Sequence, residues 1–204
     1  MSLRPRSPNR QPRRPVLIVC EGEIETNYFR ALKKYARNNL AIDVRSSRGG
    51  GHKGVWNEAV KNTGNNKRRG SFDEVWCVFD VESDESDPDC NSLAETINKC
   101  AGRDFGIALS NPCFNIWLLA HLDQVPRQRV KSDESRRSLE AACGGVVQPR
   151  NIDWIRKRFF DEDLRKVEAA ARSPCCLPDL NNIIEKNPST RVHILVNWLV
   201  GPAT

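Results

Sequence analysis

Two runs of apolar residues with no alternation, Val16-Leu17-Ile18-Val19-Cys20 and Val75-Trp76-Cys77-Val78-Phe79, restrict this chain more than any other feature. A half-exposed strand alternates apolar and polar residues, whereas an unbroken run suits a strand covered on both faces, as in a parallel sheet. Each run leads straight into acids: Glu21-Gly22-Glu23 after the first, Asp80-Val81-Glu82-Ser83-Asp84 after the second. In such sheets the ligand crevice lies at the carboxyl ends of the strands. Acidic clusters brought to one edge repel each other unless a cation sits between them. The sequence therefore points to a Mg2+-type site, and Gly22 beside Glu21 permits close backbone approach of a ligand.

Between the runs the chain alternates strand and helix. A helix is expected from Glu25 to about Asn38, a partly exposed strand at Ala41–Arg45, a loop from Ser46 to Gly54, and a helix over Val55–Thr63. After the second run come an acidic loop, a helix over Asn91–Cys100 and a strand over Phe105–Leu109. This β-α order favours a parallel sheet with helices on both faces. From Pro112 onward only helices are expected: Cys113–Leu122, with Ser110 or Asn111 as its cap, then Asp133–Cys143, Asn151–Phe160, Asp163–Arg172 and Thr190–Leu199, the last capped by Ser189 or Thr190. The fold class is α/β, divided into a basic tail (1–14), a sheet domain (15–122) and a helical C-terminal part (123–204) packed on it.

The chain carries 32 Lys and Arg against 26 Asp and Glu, a net charge of +6. Much of the excess lies in the first fourteen residues, with Arg4, Arg6, Arg10, Arg13 and Arg14 and no acid. Pro5, Pro8 and Pro12 keep that segment from forming a helix, and such an arm either tracks phosphates or is simply solvated. No stretch approaches the ~20 apolar residues of a membrane span. The eight cysteines contain no CxxC spacing, so a zinc ribbon or disulfide framework is not indicated, and reduced thiols in the cytoplasm are expected.

The loop Arg48-Gly49-Gly50-Gly51-His52-Lys53-Gly54 could cradle a phosphate, with Arg48, His52 and Lys53 supplying charge. A plain surface loop is the ordinary alternative. It lacks the Walker A spacing and the Ser or Thr after Lys, which disfavours nucleoside triphosphatase activity. Glu23, Glu25, Asn111 and Asn115 are further candidates for the crevice, although capping explains Asn111 equally well. His121 and His193 lie in apolar helices and read as packing residues.

A strand ending in Glu-Gly and a later strand ending in an Asp-x-acid pair, with helices between, resemble the Toprim domain of topoisomerases, bacterial primases and certain nucleases. VLIVCEGEIETNYF (16–29), EVWCVFDVESD (74–84), LSNPCFNIWLLAHL (109–122) and NPSTRVHILVNWL (187–199) together resemble the RloB-like proteins, a Toprim-related family associated with bacterial restriction and phage defence. The resemblance implies Glu21 as general acid or base and Asp80 and Glu82 as ligands of Mg2+ or Mn2+, with Asp84 as a substitute ligand. It also implies a nucleic-acid substrate and a partner ATPase. The chain departs from the pattern in having Glu82 for the second Asp, and Asn115 where a glutamate follows Ser-Asn-Pro-Cys-Phe. The expected function is Mg2+-dependent cleavage of nucleic-acid phosphodiester bonds. A non-catalytic metal- or nucleic-acid-binding subunit of a defence complex is the first alternative, and a small-nucleotide enzyme using the glycine loop is the second.

Overall fold

The structure, a computed structural model, describes residues 12–64, 72–81 and 90–201. The chain begins with β1 (Arg14–Cys20), α1 (Glu23–Leu32) and a short 3-10 turn at Lys33–Tyr35, then β2 (Leu40–Ser46), α2 (Gly51–Thr63), β3 (Glu74–Asp80), α3 (Cys90–Ala101) and β4 (Gly106–Asn111). The four strands run parallel in the order β2-β1-β3-β4. Neighbours of β1 thus lie on opposite sides and are reached by successive crossovers. This makes the gap between the carboxyl ends of β1 and β3 the topological switch point, where ligands of open α/β sheets bind.

Both sheet faces are covered, as the apolar runs require. Val16, Ile18, Cys20, Trp76, Val78 and Ala108 point into one core with Tyr28, Phe29 and Leu32 of α1. Leu17, Val19, Val75, Cys77, Phe79 and Leu109 point into a second core with Val55 and Ala59 of α2. The described cysteines are free thiols. Among the described residues no helix is long and apolar enough to cross a membrane.

The C-terminal part comprises α4 (Asn115–Ala120), α5 (Ser132–Cys143), α6 (Ile152–Phe159), α7 (Arg165–Ala171), α8 (Leu180–Glu185), a two-residue strand β5 (Ser189–Thr190) and α9 (Val192–Val200). It enlarges the first core: Trp117, Ile155, Phe159, Leu195 and Val196 are fully buried there.

Four expectations change. The helix after the glycine loop starts at Gly51, not Val55. Arg48, Gly49 and Gly50 take positive φ and turn the chain, and Gly54 inside the first helical turn lets the Gly49 carbonyl fold back over it: a Cβ at Gly54 would stand 2.0 Å from that oxygen. Ser189 and Thr190 form β5, antiparallel to β4, so the C-terminal part is not purely helical; Thr190 Oγ1 still accepts from the Val192 N–H at 3.3 Å. Asn111 ends β4 and does not cap α4. Its amide donates to the carbonyls of Ile183 (2.9 Å) and Ile184 (3.0 Å) and holds α8 against the sheet. Finally, α8 itself lacks the apolar repeat that marks the other helices, and forms behind Asp179, whose Oδ1 accepts from the N–H groups of Asn181 and Asn182.

Candidate active site at the ends of β1 and β3

Glu21 leaves β1 with its backbone still in the sheet: its N–H donates to the Val78 carbonyl at 2.9 Å. Its side chain crosses the switch point, where Oε2 accepts from the Asp80 N–H at 3.3 Å, joining residues 59 apart in sequence. The Glu21 carboxylate thus meets the Asp80 main chain, and Asp80, not Glu21, is among the residues lining the crevice between α1 and α5. On the far side of Glu21 lies the start of α2; a Cβ at Gly51 would stand 3.9 Å from Glu21 Oε1.

Behind Glu21, the first turn of α1 supplies Glu23 and Glu25. Acids here suit the helix dipole, yet the two differ in surroundings. Glu23 is exposed and pairs with Arg150 at 2.9 Å. Glu25 is only 4% exposed, and its Oε2 has no hydrogen-bond partner. Its carboxyl packs so closely on Gly22 that a Cβ there would lie 2.4 Å from Oε2, so any larger residue at that position would have to displace the Glu25 carboxyl. Burial, reinforced by the negative charge of Glu21, pushes the Glu25 carboxyl up to about 7, against the pull of the Glu25 and Gly22 N–H groups.

This shift has a sign that can be checked. A carboxyl whose pKa rises on folding contributes stability that is complete below its usual value of 4.5 and is lost as pH rises through about 7. His121, held neutral by burial down to about 3, acts oppositely but only below its ordinary 6.5. Between about pH 6.5 and 8, without divalent ions, stability should therefore fall by a little less than about 1 kcal/mol. Glu25→Gln should abolish that fall, as read by thermal melts at the two pH values.

Glu23, Glu25, Asp80 and Asn115 line one crevice of about 570 Å3, closed on its other side by α5 and the segment leading to α6, including Arg136 and Pro149. That segment is tied down by the Asn27 side chain, which donates to the Pro149 carbonyl at 2.8 Å. Cys113 also faces the crevice, and burial followed by the charge of Asp80 pushes its thiol up to about 12, so it stays protonated and is no nucleophile. The Asn115 amide donates to Ser135 Oγ at 3.4 Å.

The remaining candidates are placed apart. Asn111 is buried under α8. The His52 ring is hydrogen-bonded to Ser92 Oγ at 2.6 Å between α2 and α3, while Arg48 and Lys53 are exposed beside it. Glu82 and Asp84 lie outside the described residues. Among the described residues no group of three His, Cys, Asp or Glu is arranged to hold a metal ion. Arg136, Cys113 and Pro149 were not foreseen: they reach the crevice through tertiary packing, and no local motif marks them.

Strand order, the switch-point crevice and its carboxylates define an α/β protein with a mostly parallel sheet and an acidic site at the sheet's carboxyl edge. The chain matches the RloB-like proteins over residues 16–199 and belongs to that family. No curated protein and no solved structure matches it.

Proposed function

We propose that this protein is a Mg2+-dependent nuclease of Toprim type that cleaves nucleic-acid phosphodiester bonds in bacterial restriction or phage defence. The observation that supports this reading is the Glu21 carboxylate accepting from the Asp80 N–H at the switch point, which joins the two acid-bearing strand ends. The donor set fits Mg2+: the ion takes hard oxygens, commonly one or two carboxylates, and fills its other positions with water and phosphate oxygens. The unpartnered Oε2 of buried Glu25 is a further sign that the crevice accommodates positive charge or a hydrogen-bond donor.

Glu21 and Asp80 would hold the ion, with Glu82 or Asp84 as added ligands. When bound, Mg2+ stabilises charge on the phosphodiester and lowers the pKa of a coordinated water. Glu21, fixed at Oε2, has Oε1 directed toward the start of α2 and is the group placed to take a proton. Exposed Arg48 and Lys53 on that side suit an incoming phosphate. A partner ATPase, as the family resemblance suggests, would supply energy-driven sensing, and the cytoplasm is the compartment this role requires.

Incubating plasmid, single-stranded DNA and tRNA with the protein, with and without Mg2+, tests the reading: Mg2+-dependent cutting supports it. The presence of Asn115 rather than a carboxylate in the crevice favours the other reading, a non-catalytic subunit, and nucleic-acid binding without cutting would select that one. Asp80→Asn should weaken Mn2+ binding at least tenfold in calorimetric titration, the scale expected when a carboxylate ligand becomes neutral. Its melting temperature should stay close to the wild-type value. Unchanged Mn2+ affinity would remove Asp80 from the site.

A further inference from the structure

The crevice has far more room than a metal ion and a phosphate occupy. Its volume of about 570 Å3 falls within the range of small-molecule sites. Its lining is mixed in chemistry. Beside Asp80 and Glu25 it is lined by an apolar wall of Ile24, Val147 and Pro149, all partly exposed, and by buried Phe114 and Leu139. A hydrated ion gains nothing from that apolar wall, but a flat, neutral ring does.

Charge bears on which part of a nucleic acid can enter. Glu23, Asp133 and Glu140 of the lining are each paired with an arginine (Arg150, Arg137 and Arg136), and Arg136 is the one cation among the described lining residues. Away from an ion held at Asp80, the lining thus offers a phosphate one cation that is already paired, whereas an uncharged base needs none. Arg136 is 61% exposed and paired with Glu140 at 3.3 Å, a weak surface ion pair that a phosphate on the rim could replace. A base in a duplex is stacked and paired, and can reach a side cavity only when it is unstacked.

We propose that the crevice takes one unstacked base of a single-stranded nucleic acid, packed against Ile24, Val147 and Pro149, with Arg136 on a neighbouring phosphate. The assignment rests on the nuclease reading for the position of the reacting phosphate, and it names the substrate class: single strands, not duplexes.

The test is fluorescence anisotropy on the full chain in Ca2+, with a short oligothymidylate, the matching oligouridylate, an abasic strand of equal length and a hairpin duplex. The base-bearing strands should bind about tenfold tighter than the abasic strand and the duplex, the scale of one base–side-chain contact. The DNA and RNA arms identify which polymer is preferred. Val147→Asn, on an exposed connecting segment, should remove the preference while leaving abasic binding and Mn2+ affinity unchanged. Equal binding of the abasic strand, equal or tighter binding of the duplex, or a preference intact in Val147→Asn would overturn the assignment. Cutting plays no part in this readout. Base preference with no Mg2+-dependent cutting would sink the nuclease reading alone, and cutting without base preference would sink only the base site.

Discussion

Glu21→Gln is expected to lower the proposed Mg2+-dependent cleavage by about 10²–10⁴-fold, the range that a positioned acid or base contributes. Glutamine keeps the side-chain length and a carbonyl oxygen able to accept from the Asp80 N–H, so the strand ends stay joined. What it lacks is the charge to hold a cation and the basicity to accept a proton. Stability should hold or rise slightly, because the substitution removes a negative charge that acts on buried Glu25. Single-turnover cleavage together with a thermal melt separates the two effects. Wild-type cutting rates in a folded Glu21→Gln protein would place the chemistry elsewhere.

The second large effect is structural. Trp117→Ala should cost about 3–5 kcal/mol, as do other deletions of large buried aromatic side chains. Trp117 is fully buried in α4, its ring set edge-on against His121 at 4.9 Å and Tyr28 at 6.3 Å. Domains are commonly stable by only about 5–15 kcal/mol, so the variant would keep a reduced margin. Urea unfolding monitored by circular dichroism would measure it. A loss below about 1 kcal/mol would mean that neighbouring side chains collapse into the space, contrary to the dense packing of protein interiors. Because α4 begins at Asn115, next to buried Phe114, crevice binding should weaken along with stability.

What could be read from the sequence followed from how locally each feature is encoded. Doubly covered strands announce themselves as unbroken apolar runs, so β1 and β3 were legible, and so was the placing of Glu21 and Asp80 at adjacent strand ends; that they meet through the Asp80 main chain was not. The start of α2 was not, because Gly51 and Gly54 look like loop residues until the Gly49 carbonyl that needs Gly54 is in place. β5 is too short to carry a pattern and exists because Ser110 and Asn111 offer it a partner edge. Glu25 reads as an ordinary first-turn acid; neither its burial nor the hydrogen bond from Asn27 to Pro149, 122 residues away, has a local pattern. The same distance hid Arg136 and Val147.

The contact between Glu21 and residue 80 uses the main-chain amide and not the aspartate side chain. Every residue type except proline supplies that donor, so the first carboxylate remains seated whatever stands at position 80. Exchange there leaves its neighbour in place, while proline would remove the donor and leave the strand ends joined by the main-chain hydrogen bond from Glu21 to Val78.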